Sequence, residues 1–154
     1  MVNDLTKTLF GRKLNQTMTL ADALSFLQEQ RLIQVGELAE RAISKKSGVA
    51  LCPKNTEGID TVTGKQIKHA QTQLDRTEKR AWISKKNTMA PILAVVTEQL
   101  TGKQYFFHFP YSAYCWLSAN AFSIPFYDDG APYRKNSWWQ YEIDSFKKLC
   151  ELAK

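Results

Sequence analysis

The run Ile92-Leu93-Ala94-Val95-Val96 restricts the fold more than any other segment of the chain. A strand with one wet face alternates apolar and polar residues. An unbroken apolar run of this length reads instead as a central strand covered on both faces, at residues 92–97. Thr101-Gly102 then turns the chain into a second strand, Gln104-Tyr105-Phe106-Phe107-His108-Phe109. His108 alternates with aromatics there and is expected to be a packing residue. Helical patterns lie on either side. Thr19 is an N-cap candidate, and Leu20, Leu24 and Leu27 continue after a phase slip into Leu32, Val35, Leu38, Ala39, Ala42 and Ile43. Gly48 ends this pattern, giving a helical part over about residues 19–48. Trp139, Ile143, Phe146 and Cys150 mark an amphipathic C-terminal helix over about residues 139–153. Helix, several strands, then helix predicts an α/β sandwich with a central mixed β-sheet flanked by helices.

Composition sets the outer bounds. The 154 residues suit one domain, and 44% hydrophobic with 23% charged residues is ordinary globular composition, neither disordered nor fibrous. The apolar run beginning at Pro91 is far shorter than the ~20 residues that cross a bilayer. The start Met1-Val2-Asn3-Asp4-Leu5 lacks the basic and apolar regions of a signal peptide, so a cytoplasmic protein is expected. Three widely separated cysteines, Cys52, Cys115 and Cys150, suit reduced core thiols better than a disulfide framework or a zinc site. A net charge of +6 favours a polyanionic partner, since each phosphate neutralised by Lys or Arg releases condensed counterions. The cations cluster at Arg12-Lys13, Lys45-Lys46, Lys79-Arg80, Lys85-Lys86 and Arg134-Lys135.

The residues with chemistry to offer lie between the helical part and the apolar strand. Gly58-Ile59-Asp60 is followed by Gln66-Ile67-Lys68, around one expected hairpin with a strand over residues 58–62 and another from Lys65 to about Gln73. Two registers are open. A two-residue turn at Thr63-Gly64 sets Asp60 on the face of His69 and Gln71, whereas a three-residue turn or a bulge groups Asp60 with Gln66 and Lys68. Upstream, Glu37 and Glu40 lie away from the Val35, Leu38, Ala39 and Ala42 stripe of the helix, Glu40 closer to its boundary.

Over about residues 35–109, the order Glu, Asp, Gln-x-Lys resembles the PD-(D/E)XK nuclease superfamily, with Gln66 where Asp or Glu is commoner and a shorter spacing after Asp60. The resemblance implies a restriction-endonuclease-like sandwich, with the catalytic sheet over about residues 56–110, and a Mg²⁺-dependent DNA endonuclease. Asp60, Gln66 and Glu40 would hold the ion, which neutralises the phosphodiester and lowers the pKa of a bound water. Lys68, two residues past Gln66 and on the same strand face, would orient that water or stabilise the phosphorane. A compact chain of this kind looks most like a small type II restriction enzyme, a class that commonly acts as a homodimer on double-stranded DNA. Lys85, Lys86, Arg134, Lys135 and Asn136 are the candidate DNA contacts, the first four on phosphates or base edges and Asn136 on an adenine. Two rivals belong to other classes. Residues 31–49 can be read as part of a helix-turn-helix in a non-enzymatic DNA-binding regulator, and a nuclease toxin acting on RNA would share the basic surface.

Overall fold

The computed structural model describes residues 35–53, 56, 58–73, 77 and 79–154; the expected helical stretch over residues 19–34 and the cations Arg12 and Lys13 lie outside it. Residues Gly36–Lys154 form one compact unit. The chain there is mixed α/β, with a four-stranded mixed sheet and a two-stranded sheet.

Helix α1, Val35–Ser47, ends at Gly48, whose φ of 75° supplies the left-handed residue that closes many helices. Strand β1 spans Gln66–Gln71, β2 Arg80–Ser84, β3 Ile92–Thr97 and β4 Gln104–Phe109. The short helix α2, Tyr111–Tyr114, leads to β5, Ala121–Pro125. A 3-10 turn at Ser137–Tyr141 precedes β6, Glu142–Ile143, and α3, Phe146–Leu152. The larger sheet has the order β1-β3-β4-β6, with β1 parallel to β3 and the other neighbours antiparallel. β2 leaves this sheet and pairs antiparallel with β5.

The apolar strand β3 is covered on both faces, as its composition demands. On one side Ile92, Ala94 and Val96 join Phe107 and Phe109 of β4 and meet Ala81, Ile83, Phe122 and Ile124 of the β2-β5 layer. Trp139 closes this core, its ring 5.1 Å from that of Phe107 and its indole N–H donating to the Pro125 carbonyl at 3.0 Å. On the other side Leu93 and Val95 meet Ala39 and Ile43 of α1 and Leu149 and Cys150 of α3. Each fully buried side chain of this kind contributes about 1.5–3 kcal/mol, and the aromatic pairs somewhat more.

Several boundaries differ from the sequence reading, each for a local reason. The helix expected over residues 139–153 begins only at Phe146, where the Ser145 hydroxyl accepts the Lys148 N–H at 3.2 Å as an N-cap. The preceding residues are drawn into β6, with Phe106 opposite Ile143 and Phe107 opposite Glu142. Residues 58–62 form no ladder strand; Thr61 instead makes an isolated antiparallel bridge to Leu51. The cysteines are all free, but only Cys150 is a core thiol: Cys52 is half-buried and Cys115 exposed.

Candidate functional site

Asp60 is positioned by a bulge. The Lys65 carbonyl accepts N–H bonds from both Asp60, at 2.8 Å, and Thr61, at 3.1 Å, so two residues face one. Between them the Gly64 N–H returns to the Thr61 carbonyl at 3.0 Å, closing a tight turn in which Gly64 takes φ 81°. On the next strand the Gln66 N–H points inward to the Pro91 carbonyl at 2.9 Å, so by alternation the N–H of Ile67 faces the open edge of β1. The Asp60 carboxylate takes that edge donor: Oδ2 accepts from Ile67 N at 2.6 Å and from Gln66 Nε2 at 2.5 Å. Lys68 lies close enough for its positive charge to act on Asp60. Asp60, Gln66 and Lys68 are therefore gathered at one sheet edge.

Burial dominates the electrostatics. Desolvation raises the Asp60 pKa above the ordinary carboxylate value and outweighs the Ile67 N–H, the Lys68 charge and the Gln66 amide, which all favour the anion.

His69 and Gln71 belong to the opposite face. The ring of His69 shares a 2.9 Å hydrogen bond with the Thr97 hydroxyl, and burial depresses its pKa to about 4, so it is neutral at neutral pH. Gln71 accepts from the Gln99 amide at 2.9 Å. His108, paired with Leu93, has its pKa lowered by burial first and by the charge of Lys65 second.

Glu40 is half-buried on α1, next to Ala39 in the core cluster that includes Ile67. Glu37 lies on the same helix, with its side chain outside the described residues. Among the described residues no three His, Cys, Asp or Glu side chains are grouped to hold a metal ion. Asp60 meets the nitrogen of the Gln66 amide and its Oδ2 is held by two donors, so an ion here would take few protein ligands and rely on water and substrate phosphate rather than on a closed cage.

The candidate DNA contacts divide into structural and exposed groups. The Lys85 ammonium is bonded to the Leu117 carbonyl, whereas Lys86 is exposed. The Arg134 guanidinium makes a two-point pair with Glu142, at 3.0 and 3.1 Å, and stands 5.2 Å from the Trp139 ring centre. The Asn136 side-chain oxygen accepts the Trp138 N–H at 3.0 Å and so caps the 3-10 turn, while Lys135 is exposed. Of the five, Lys86 and Lys135 are exposed cations, and Asn136 has its acceptor committed to the backbone.

Sequence reasoning missed Glu98. Its carboxylate is completely buried and accepts from Thr101 N and Oγ1, both at 2.7 Å, from Leu100 N at 2.9 Å and from Thr72 Oγ1 at 3.2 Å. Although desolvation is the largest single influence, these donors together lower its pKa. The signal was an acid between an apolar strand and Thr101-Gly102, the pattern of a side chain that closes its own turn. No helix among the described residues is long and apolar enough to cross a membrane. No known protein family matches this chain, and no match was found among curated proteins or solved structures.

Proposed function

We propose that this protein is a Mg²⁺-dependent DNA endonuclease of the PD-(D/E)XK kind, built on a restriction-endonuclease-like sandwich and acting as a small type II restriction enzyme. The observation that carries the reading is the joint placement of Asp60, Gln66 and Lys68, through the 2.5 Å contact between the Asp60 carboxylate and the Gln66 amide. A net charge of +6 supports a polyanionic substrate.

Asp60 and, with its amide turned to present the oxygen, Gln66 would hold the ion, with Glu40 of α1 as the further carboxylate that the resemblance assigns; the ion would supply charge neutralisation of the phosphate and acidify a bound water. Asp60 orients the site from its bulge. Lys68, on the same strand face as Gln66, would use its ammonium to orient the attacking water or to stabilise the negative charge growing on the phosphorane. The helix-turn-helix alternative needs a recognition helix soon after α1, and among the described residues the next helix is α2, beyond four strands.

Supercoiled plasmid incubated with and without Mg²⁺ tests the reading. The expected result is metal-dependent cutting into discrete fragments, lost at least about a hundredfold in both Asp60→Ala and Lys68→Ala, as for removal of a transition-state contact. Gln66→Glu should retain more activity than Gln66→Ala. Unchanged cleavage in both the Asp60 and Lys68 variants would overturn the assignment, and degradation of RNA without Mg²⁺ would favour the toxin.

A further inference from the structure

Two large apolar side chains stand out into solvent near the candidate site. Trp116 is 71% exposed and Met89 is 78% exposed, so neither side chain belongs to the core. Both come from segments that are braced. The Trp116 indole N–H donates to the Ala113 carbonyl at 3.0 Å, so the polar edge of the ring is satisfied inside the chain while the rest of the ring stays exposed. The Trp116 loop is tied to the turn before Met89 twice: Lys85 N–H donates to the Asn120 carbonyl at 2.8 Å, and the Lys85 ammonium to the Leu117 carbonyl. Just after Met89, the Tyr114 hydroxyl donates to the Ala90 carbonyl. The same turn touches the Asp60 segment, because a side chain at Gly58 would meet the Asn87 carbonyl at 2.9 Å. Charge favours a polyanion here: from Lys85 to Asn120 the only acid is Glu98, which is buried and already satisfied, and Lys86 is exposed.

We propose that residues 85–89 and the Trp116 loop form the surface on which bound DNA is kinked, with Met89 and Trp116 entering the base stack and Lys86 on a phosphate. The choice of DNA as occupant rests on the nuclease reading; the surface itself rests on exposure, bracing and charge. Apolar wedges that unstack a base step let a duplex bend toward the protein, and an aromatic ring tolerates any base because every base has a π-face. A braced ring loses little freedom on binding, which favours affinity. The bend would carry a backbone segment toward Asp60 and Lys68.

Fluorescence anisotropy with a duplex oligonucleotide in Mg²⁺-free buffer tests this, using the full chain carrying Asp60→Ala so that no cleavage intervenes. Adding Trp116→Ala should weaken binding roughly tenfold with no change in salt slope, and Trp116→Phe should recover most of it. Lys86→Ala should reduce the slope of log affinity against log salt by about one. A 2-aminopurine in the duplex should brighten on binding, and less so with Met89→Ala. Full affinity and full brightening in the Trp116→Ala and Met89→Ala proteins, or no duplex binding at all, would overturn the surface. Plasmid cleavage by the wild-type chain is scored separately. Cleavage with Trp116-independent binding keeps the nuclease and removes the surface, and Trp116-dependent binding without cleavage does the reverse.

Discussion

At Asp60 two demands on one carboxylate oppose each other. Its raised pKa means that burial favours the neutral acid, although the proposed chemistry on a phosphodiester would need the anion. The linkage has a definite sign. Well below the ordinary value of 3.8 the group is protonated folded or unfolded, and the fold keeps the full benefit of the neutral form. As pH rises through the raised folded pKa, the unfolded chain has already released its proton and that benefit is lost. At neutral pH the ionised Asp60 is therefore a net cost to stability. Asp60→Asn should stabilise the protein at pH 7 in urea unfolding, with the gain shrinking toward zero by about pH 3. The same substitution should abolish cleavage. An Asn variant less stable than wild type at pH 7 would show that Asp60 is a structural cap for the Ile67 N–H, with no conflict between folding and function.

The bulge and turn that present Asp60 make an element-scale test, since two glycines with similar backbones have different surroundings. Gly58 has φ 78° and Gly64 φ 81°, so an alanine at either adopts a left-handed conformation costing about 1–2 kcal/mol. An added Cβ at Gly64 meets nothing within 4 Å, whereas at Gly58 it lies 2.9 Å from the Asn87 carbonyl. Gly58→Ala should thus be the more destabilising by about a further 1 kcal/mol or more, since backbone must move to relieve the contact. It should also lower cleavage by shifting Asp60, while Gly64→Ala changes stability alone; denaturant midpoints and plasmid assays on both variants check this. Equal effects would show that the contact with Asn87 relaxes freely. The same segment shows what could be read in the sequence. Strand β3 was legible because nothing polar interrupts it, and β4 because His108 alternates with aromatics there. Asp60 and the Gln66-Lys68 pair were legible as residue types, but the choice of register was not. It depends on two N–H groups sharing the Lys65 carbonyl, a matter of backbone geometry to which the side-chain pattern is nearly blind. The end of the chain was misread for a related reason. Trp139 and Ile143 fit a helical stripe with Phe146 and Cys150, yet Trp139 is fixed by the aromatic core and Ile143 by pairing with Phe106. Tertiary contacts there outweigh local periodicity.

For the whole molecule the argument concerns symmetry. A palindromic duplex offers two equivalent scissile phosphates related by a two-fold axis, and a two-fold protein meets them with a self-complementary interface. On the proposed reading, one Asp60-Gln66-Lys68 constellation per chain would supply one set of catalytic groups, so cutting both strands in one encounter would require a second copy. Leu27 and Leu32, the apolar positions on either side of the phase slip, lie outside the described residues and are the sequence's candidates for that contact. Sedimentation at micromolar protein, with and without a duplex, should give a dimer, and plasmid cleavage should yield linear product without a long-lived nicked circle. Leu27→Lys or Leu32→Lys should shift the protein toward monomer and the product toward nicked circles, leaving nicking itself in place because the catalytic sheet edge belongs to one chain. A strict monomer in both sedimentation runs, producing mainly nicked circles, would remove the dimer and make the protein an enzyme that cuts one strand at a time.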